Sequence, residues 1–137
     1  MRKKQKKIVK VFIVDDSAFI RERLKIMLSE LKDVEVIGQA NNPQEAIEGI
    51  LKLKPDVVLL DIRMPGGNGI DVLKNIKKDR PSPQVIMLTN YPYPQYRKKC
   101  KDAGADYFLD KSTEFDKVTD ILNKIRETVP NLQEDKR

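Results

Sequence analysis

The sequence predicts one α/β domain built on a parallel five-stranded sheet, and three observations carry that reading. Short apolar runs alternate with helically spaced segments five times. The runs are rich in β-branched residues and lie between turn residues, which favours strands over helix segments. Each repeat is about 25 residues long, too long for hairpin links, so the strands are joined by right-handed crossovers in a parallel sheet.

The first run covers residues 8–14, and a stripe of Ile20, Leu24, Met27, Leu28 and Leu31 after it has helical spacing. The second run is 34–39. Asn42 then reads as an N-cap, with Pro43 at the first helical position, and Pro55 closes that helix. The third run, 56–60, is followed by Gly66-Gly67-Asn68-Gly69, read as a flexible turn into a third helix. It lacks the spacing of a nucleotide-binding glycine loop. After the fourth run, 84–88, Tyr91-Pro92-Tyr93-Pro94 stiffens the loop before a fourth helix, which Gly104 ends. The fifth run is 105–109. Thr113 with Asp116 resembles a weak capping arrangement before a last helix striped by Phe115, Val118, Ile121, Leu122, Ile125 and Val129, with Pro130 as its end. Three of the runs lack polar alternation, as strands covered on both faces should. The expected organisation is a basic arm at 1–7, a domain at 8–130 and a short tail at 131–137 with no output domain.

Composition narrows the function. Apolar residues at 39% and charged residues at 35% suit a closed core under a charged surface and argue against disorder. One cysteine, Cys100, excludes an intramolecular disulfide framework, and the lack of histidine excludes an ordinary zinc site. The longest apolar runs are four residues, so no membrane span is expected. The basic start has no long apolar stretch behind it, which does not fit a secretory signal; a cytoplasmic location is expected. The net charge of +6 is confined to the first ten residues, where Arg2, Lys3, Lys4, Lys6, Lys7 and Lys10 stand without an acidic neighbour. The other 21 basic residues match the 21 acidic ones. The arm reads as a solvated end, with phosphate or anionic-membrane contact as the alternative, and no direct DNA binding is expected.

Open parallel sheets bind their ligands at the carboxyl ends of the strands. Asp15 and Asp16 follow the first run, Asp61 the third, Thr89 the fourth and Lys111 the fifth, whereas Gln39-Ala40-Asn41 offers nothing reactive after the second. Three clustered carboxylates repel one another, and Mg²⁺ is the hard cation that relieves this. Lys111 can pair with Asp61, and Thr89 can donate to a phosphoryl oxygen. These are the parts of phosphoryl transfer to a carboxylate nucleophile, whose product is an aspartyl phosphate. Taken singly, each residue also has an ordinary role: Asp16 or Ser17 as a helix cap, Thr89 as a strand-end hydroxyl, Lys111 as a surface lysine. Asp61 is the sharpest case, because it directly follows the run VVLL, where a charge without a function is unfavourable.

The segments VFIVDDS, KPDVVLLDIRMPGGNGIDVL, VIMLTN and AGADYFLDKS resemble the receiver domain of two-component response regulators, over about residues 11–129. The resemblance implies a flavodoxin-like (βα)5 fold with strand order 2-1-3-4-5 and helices on both faces. It implies that Asp61 is the phosphoacceptor and that Asp16, Asp61 and the backbone carbonyl of Arg63 hold Mg²⁺, with Asp15 assisting through water. Thr89 and Lys111 would contact the phosphoryl group. Thr89 and Phe108 would form the switch, changing the surface of the fourth helix, fifth strand and fifth helix; a core or half-buried Phe108 with one pose is the alternative. The implied partners are a sensor histidine kinase or phosphotransfer protein and a downstream protein target, with phosphorylation-dependent homodimerisation left open. The product is a signalling switch that promotes its own phosphorylation and dephosphorylation, not a turnover enzyme.

Departures from the family pattern set further expectations. Ser112 stands where many receivers have a cis proline, so that cis geometry is expected to be absent. Asn90 stands where a small residue is usual, which narrows entry. Arg63 and Tyr91 flank the path of the hydrolytic water and predict a longer phosphoryl lifetime. An Mg²⁺-dependent phosphohydrolase with an aspartyl nucleophile would need a second carboxylate two residues beyond it, where Arg63 follows Asp61 and Ser17 follows Asp15. The NarL-like look of DKSTEF keeps open the receiver portion of a longer DNA-binding regulator, although residues 131–137 cannot supply such a domain.

Overall fold

The computed structural model describes residues 7–134, and side chains up to residue 128. Residues 1–6 of the expected arm, residues 135–137 of the expected tail and the side chains of Val129 and Pro130 lie outside the described residues. The elements are β1 (Val9–Val14), α1 (Ala18–Ser29), β2 (Val34–Ala40), α2 (Pro43–Leu53), β3 (Val57–Leu60), β4 (Arg63–Met64), β5 (Gly67–Asn68), α3 (Gly69–Ile76), β6 (Gln84–Thr89), α4 (Pro94–Asp102), β7 (Tyr107–Asp110) and α5 (Lys117–Glu134). The five longer strands form one sheet in the order β2-β1-β3-β6-β7, and all its pairings are parallel. Counting those strands alone, this is the expected 2-1-3-4-5.

The period of two along each strand divides the core. Phe12, Val14, Val58, Leu60, Val85 and Met87 face α2, α3 and α4, where they meet Ile50, Leu73, Ile76 and Cys100. Val11, Ile13, Val57, Leu59, Ile86 and Leu88 face α1 and α5, where they meet Leu24, Leu28, Val118 and Leu122. All four residues of β3 are buried because both sheet faces are covered. Among the described residues no helix is long and apolar enough to cross a membrane.

The caps fix where each helix starts at the rim. Ser17, not Asp16, caps α1: its hydroxyl accepts from the Ile20 N–H at 3.2 Å. Asn42 accepts from the Glu45 N–H at 2.9 Å with Pro43 behind it, and Lys54, left-handed at φ 52°, ends α2 before Pro55. Gly104, at φ +102°, follows the end of α4.

Three local expectations need correction. The stretch 66–69 is not a loose turn. Met64 pairs with Gly67 in the antiparallel β4–β5 ribbon, around a turn that places Pro65 before a left-handed Gly66 (φ +86°). Asn68 then caps α3, accepting from the Ile70 and Asp71 N–H groups at 2.8 and 3.1 Å. Ahead of α5, the chain is held by Asp110 and Glu114 rather than by Thr113 with Asp116. The Asp110 carboxylate accepts from the N–H and hydroxyl of Ser112, and the Glu114 carboxylate accepts from the Asp110 N–H at 2.9 Å. Finally, α5 continues past Pro130 to Glu134. A proline removes one N–H from the helical ladder and crowds the turn before it, which weakens a helix without obliging it to stop.

Candidate functional site

The rim expected from the sequence is assembled. Asp15 and Asp16 leave β1, Asp61 leaves β3, Thr89 ends β6 and Lys111 follows β7. The carboxylates of Asp15, Asp16 and Asp61 offer oxygens that all lie within 4.8 Å of one another. The Lys111 ammonium reaches across the sheet to Asp15 Oδ2 at 2.7 Å and Asp61 Oδ2 at 3.2 Å.

The three carboxylates differ in how they are held. Asp15, 2% exposed, is fastened at each acceptor: Oδ1 accepts from the Ser17 N–H at 2.9 Å, Oδ2 from Lys111, and its carbonyl from Arg21 Nη1 at 2.6 Å. Asp61 is 6% exposed; its Oδ1 accepts from the Ile62 N–H at 2.7 Å. Asp16 is exposed, and its carboxylate has no partner among the described residues. The cluster is thus buried at its base and opens to solvent at Asp16.

Burial pushes the Asp61 carboxyl up to about 6; the Lys111 charge pulls against this and the Asp15 charge adds to it. Burial pulls the Lys111 amine down, but hydrogen bonds and charges from Asp15 and Asp61 outweigh it and the amine ends above its ordinary value. Lys111 therefore stays charged, and one ammonium faces three carboxylates. The remaining negative charge, the all-oxygen donor set and the partnerless Asp16 fit a small hard divalent cation, as Mg²⁺ is.

Thr89 is fully buried, and its Oγ1 accepts from the Tyr91 N–H at 2.9 Å, which leaves the hydroxyl proton available to an oxygen at the rim. Lys111 is tied to the same strand end through its N–H on the Thr89 carbonyl at 2.8 Å. The only cis bond among the described residues is Arg80–Pro81, so Lys111–Ser112 is trans, as expected from Ser112. Arg63 lies two residues past Asp61, with its guanidinium 4.1 Å over the Tyr91 ring and Nη2 3.4 Å from the Tyr96 hydroxyl. Phe108 is half-buried on β7 against the α2–α3–α4 side of the core, and the Arg97 guanidinium lies 4.5 Å over its ring.

Several contributors are absent from the sequence reading. Arg21 fastens the Asp15 backbone, Tyr96 and Arg97 cover Arg63 and Phe108, and Lys111 pairs with Asp15 more closely than with Asp61. Gly69 is the one a sequence signal could have shown. Its N–H donates to the Ile62 carbonyl at 2.6 Å, and a side chain there would collide with the Asp61 carbonyl. A glycine directly after an N-cap asparagine, at a first helical turn, is a sign of such an approach.

Comparison with known proteins agrees with this geometry. The family model described as response regulator receiver domain matches residues 11–123. Protein-glutamate methylesterase/protein-glutamine glutaminase 4 of Hahella chejuensis is 44% identical over 120 residues, covering 86% of this chain and 30% of that protein. Response regulator protein VraR of Staphylococcus saprophyticus is 34% identical over 123 residues, covering 90% of this chain and 57% of that protein. The chain thus spans well under two thirds of the curated relatives it matches. The crystal structure of the response regulator domain of Thermotoga maritima CheB superposes with a TM-score of 0.78 at 35% identity, covering 91% of this chain and 98% of that one. A family match over residues 11–123 on a sheet of this order, with its acidic rim in place, means that the chain belongs to the receiver domains of two-component response regulators.

Proposed function

We propose that the protein is a phosphorylation-activated switch whose phosphoacceptor is Asp61. The single observation that carries this reading is the placement of Asp61 in a buried acidic cluster, opposite the charged Lys111 and beside the partnerless Asp16. A sensor histidine kinase or phosphotransfer protein is the donor. An Asp61 carboxylate oxygen attacks phosphorus, the P–N bond to the donor imidazole breaks, and the imidazole keeps the electron pair and takes a proton. The product is a mixed anhydride, which water later cleaves back to the carboxylate. A cytoplasmic location goes with this reading.

Asp16, Asp61 and the Arg63 carbonyl would hold Mg²⁺, with Asp15 assisting through water. When bound, the ion supplies positive charge against the crowded carboxylates and the phosphoryl oxygens. Lys111 donates to one phosphoryl oxygen, and so exchanges part of its pairing with Asp61 for the new group. Thr89 donates its hydroxyl proton to another, and because its oxygen already holds the Tyr91 N–H, its movement carries the start of the β6–α4 loop. Phe108 turns into the space this opens, and the α4–β7–α5 face presents a different surface to its target. The unmodified protein samples that form, and phosphorylation favours it differentially.

A second reading, a receiver within a longer regulator, is favoured by one observation: the matched relatives extend well beyond the matched segment. An aspartyl-nucleophile phosphohydrolase has less support, since position 63 holds an arginine turned over Tyr91 instead of a carboxylate. Acetyl phosphate with Mg²⁺ tests the primary reading. A stoichiometric, acid-stable, alkali-labile phosphoprotein is expected, absent in D61N. Rapid multiple turnover of phosphomonoesters, or undiminished labelling of D61N, would overturn it.

A further inference from the structure

We propose that the end of the molecule opposite the acidic rim docks on an anionic lipid bilayer, with Ile8 and Leu53 entering the interface between lysines. In the parallel sheet every strand starts at one pole and ends at the other, where the rim lies. The pole of strand starts carries Ile8, 43% exposed, just before β1, and Leu53, 41% exposed, at the end of α2. Each stands between lysines: Lys7 and Lys10 bracket Ile8, and Lys52 and Lys54 bracket Leu53. The two segments are held together through Asp56. Its N–H donates to the Lys10 carbonyl at 2.8 Å, and its carboxylate accepts from the Lys10 N–H at 2.9 Å and lies 3.5 Å from Lys7 Nζ.

Apolar side chains flanked by lysines suit a membrane interface, because a lysine stem follows the apolar tip inward while its charge stays among the headgroups. Beside Lys54 the same pole opens into a groove of about 420 Å³, where Leu51, 49% exposed, stands with Pro55 and Pro81, and Arg80 adds a cation. Three of the six exposed large apolar or aromatic side chains among the described residues, Ile8, Leu51 and Leu53, therefore fall here.

Helix ends account for only part of the charge. Lys52 and Lys54 stand at the end of α2 and complement its dipole. Lys7 and Lys10 belong to the entry of a strand, so no dipole accounts for them. Residues 1–6 add Arg2, Lys3, Lys4 and Lys6 to this end of the chain, and the whole net charge of +6 lies within the first ten residues. The ammonium groups of Lys10, Lys52 and Lys54 have no partner among the described residues, so no carboxylate there competes with a lipid phosphate for them. A nucleic-acid duplex fits less well, because it would set three exposed apolar side chains against a polar backbone. The acidic rim at the far pole turns away from anionic headgroups, which gives the docked molecule one orientation. This docking does not rest on the role proposed for Asp61.

The test sediments the full chain with vesicles of phosphatidylcholine, alone or with about 30% phosphatidylglycerol, at low salt. Binding to the anionic vesicles and not to the neutral ones is expected, falling at least about tenfold in about 0.5 M salt. K10Q/K52Q/K54Q should bind at least about tenfold more weakly, since each lysine near such a surface contributes about fivefold. I8S/L53S should lose about three- to tenfold. All five positions are exposed, and an unchanged unfolding midpoint checks the fold of each variant. D16N, at the far pole, should bind as the wild type does; tighter binding would turn the rim toward the bilayer and overturn the orientation. The docking is overturned by no binding to anionic vesicles, by equal binding to neutral ones, or by a DNA duplex that releases the protein at a lower phosphate concentration than the lipid's. Unchanged binding in both multiple variants would leave the attraction to residues 1–7 and overturn the docking face. A loss in the lysine variant with none in I8S/L53S would overturn the entry of the apolar side chains.

Discussion

At the residue scale, Asp61 combines burial with a charge that the proposed chemistry requires. Its carboxyl is raised from an ordinary 3.8 to about 6, so the folded protein binds that proton more tightly than the unfolded chain does. The contribution is therefore fully present below about pH 4 and is lost as pH rises through 6, by on the order of 2–3 kcal/mol in metal-free protein. D61N removes the ionisation while keeping a polar side chain of the same shape. In metal-free urea titrations D61N should unfold at higher denaturant than the wild type at pH 7.5, and the gap should close near pH 4.5. A gap that is constant with pH would show that ionisation of this carboxylate is not its origin. Arg63 and Tyr91 carry a second prediction. The Arg63 guanidinium lies 4.1 Å over the Tyr91 ring, and in the proposed function the two side chains flank the path of the hydrolytic water. The R63A/Y91A double variant should lose its alkali-labile phosphate several-fold faster than the wild type, with little change in stability because Arg63 is exposed. Equal decay would remove these side chains from the account.

At the element scale, the start of α3 packs against the Asp61 backbone. Gly69 packs so closely on the Asp61 carbonyl that a methyl group there displaces backbone, and not a flexible side chain. G69A should destabilise by about 2 kcal/mol or more and slow phosphorylation by acetyl phosphate. N68A, which loses only the cap, should lower stability by about 1 kcal/mol and leave the rate nearly unchanged. Denaturant midpoints and labelling rates of the pair check this; equal rates in both variants would mean that the close approach does not position Asp61. The contrast also shows what was legible in the sequence. Short β-branched runs and helical spacing report burial, so the strands and the helix stripes could be read, whereas the strand order came with the family resemblance. The rim residues could be read because each stands at a strand end. The ribbon could not, since two-residue strands have no period, and a glycine cluster looks like a flexible turn until Pro65-Gly66 is seen to pair Met64 with Gly67. Nor could Arg21, Tyr96 and Arg97, because their contacts depend on rotamers and on neighbouring elements. Pro130 misled for a related reason: a local rule about one missing donor does not report how far a helix backbone continues.

At the scale of the whole molecule, the acidic rim sits where four strand ends meet between the two halves of the core, so whatever binds there acts on the folded state alone. The unfolded chain does not hold Asp15, Asp16 and Asp61 within reach of one another. A cation at the rim therefore stabilises the protein by mass action, by about 1.4 kcal/mol at ten times its dissociation constant. Asp16 makes this separable from stability itself. It is exposed and without a partner among the described residues, so D16N removes a proposed ligand while breaking no hydrogen bond or ion pair among them. Replacing Asp15 or Lys111 would instead break a buried pair and leave a charge uncompensated. In thermal unfolding, wild-type protein should gain a few degrees between chelator and a Mg²⁺ concentration about ten times its dissociation constant. D16N should start near or above the wild type without metal, since one repelling carboxylate is gone, and should gain little on addition of Mg²⁺. An equal gain in both proteins would place the cation elsewhere on the surface, and a gain in neither would mean that Lys111 alone compensates the cluster.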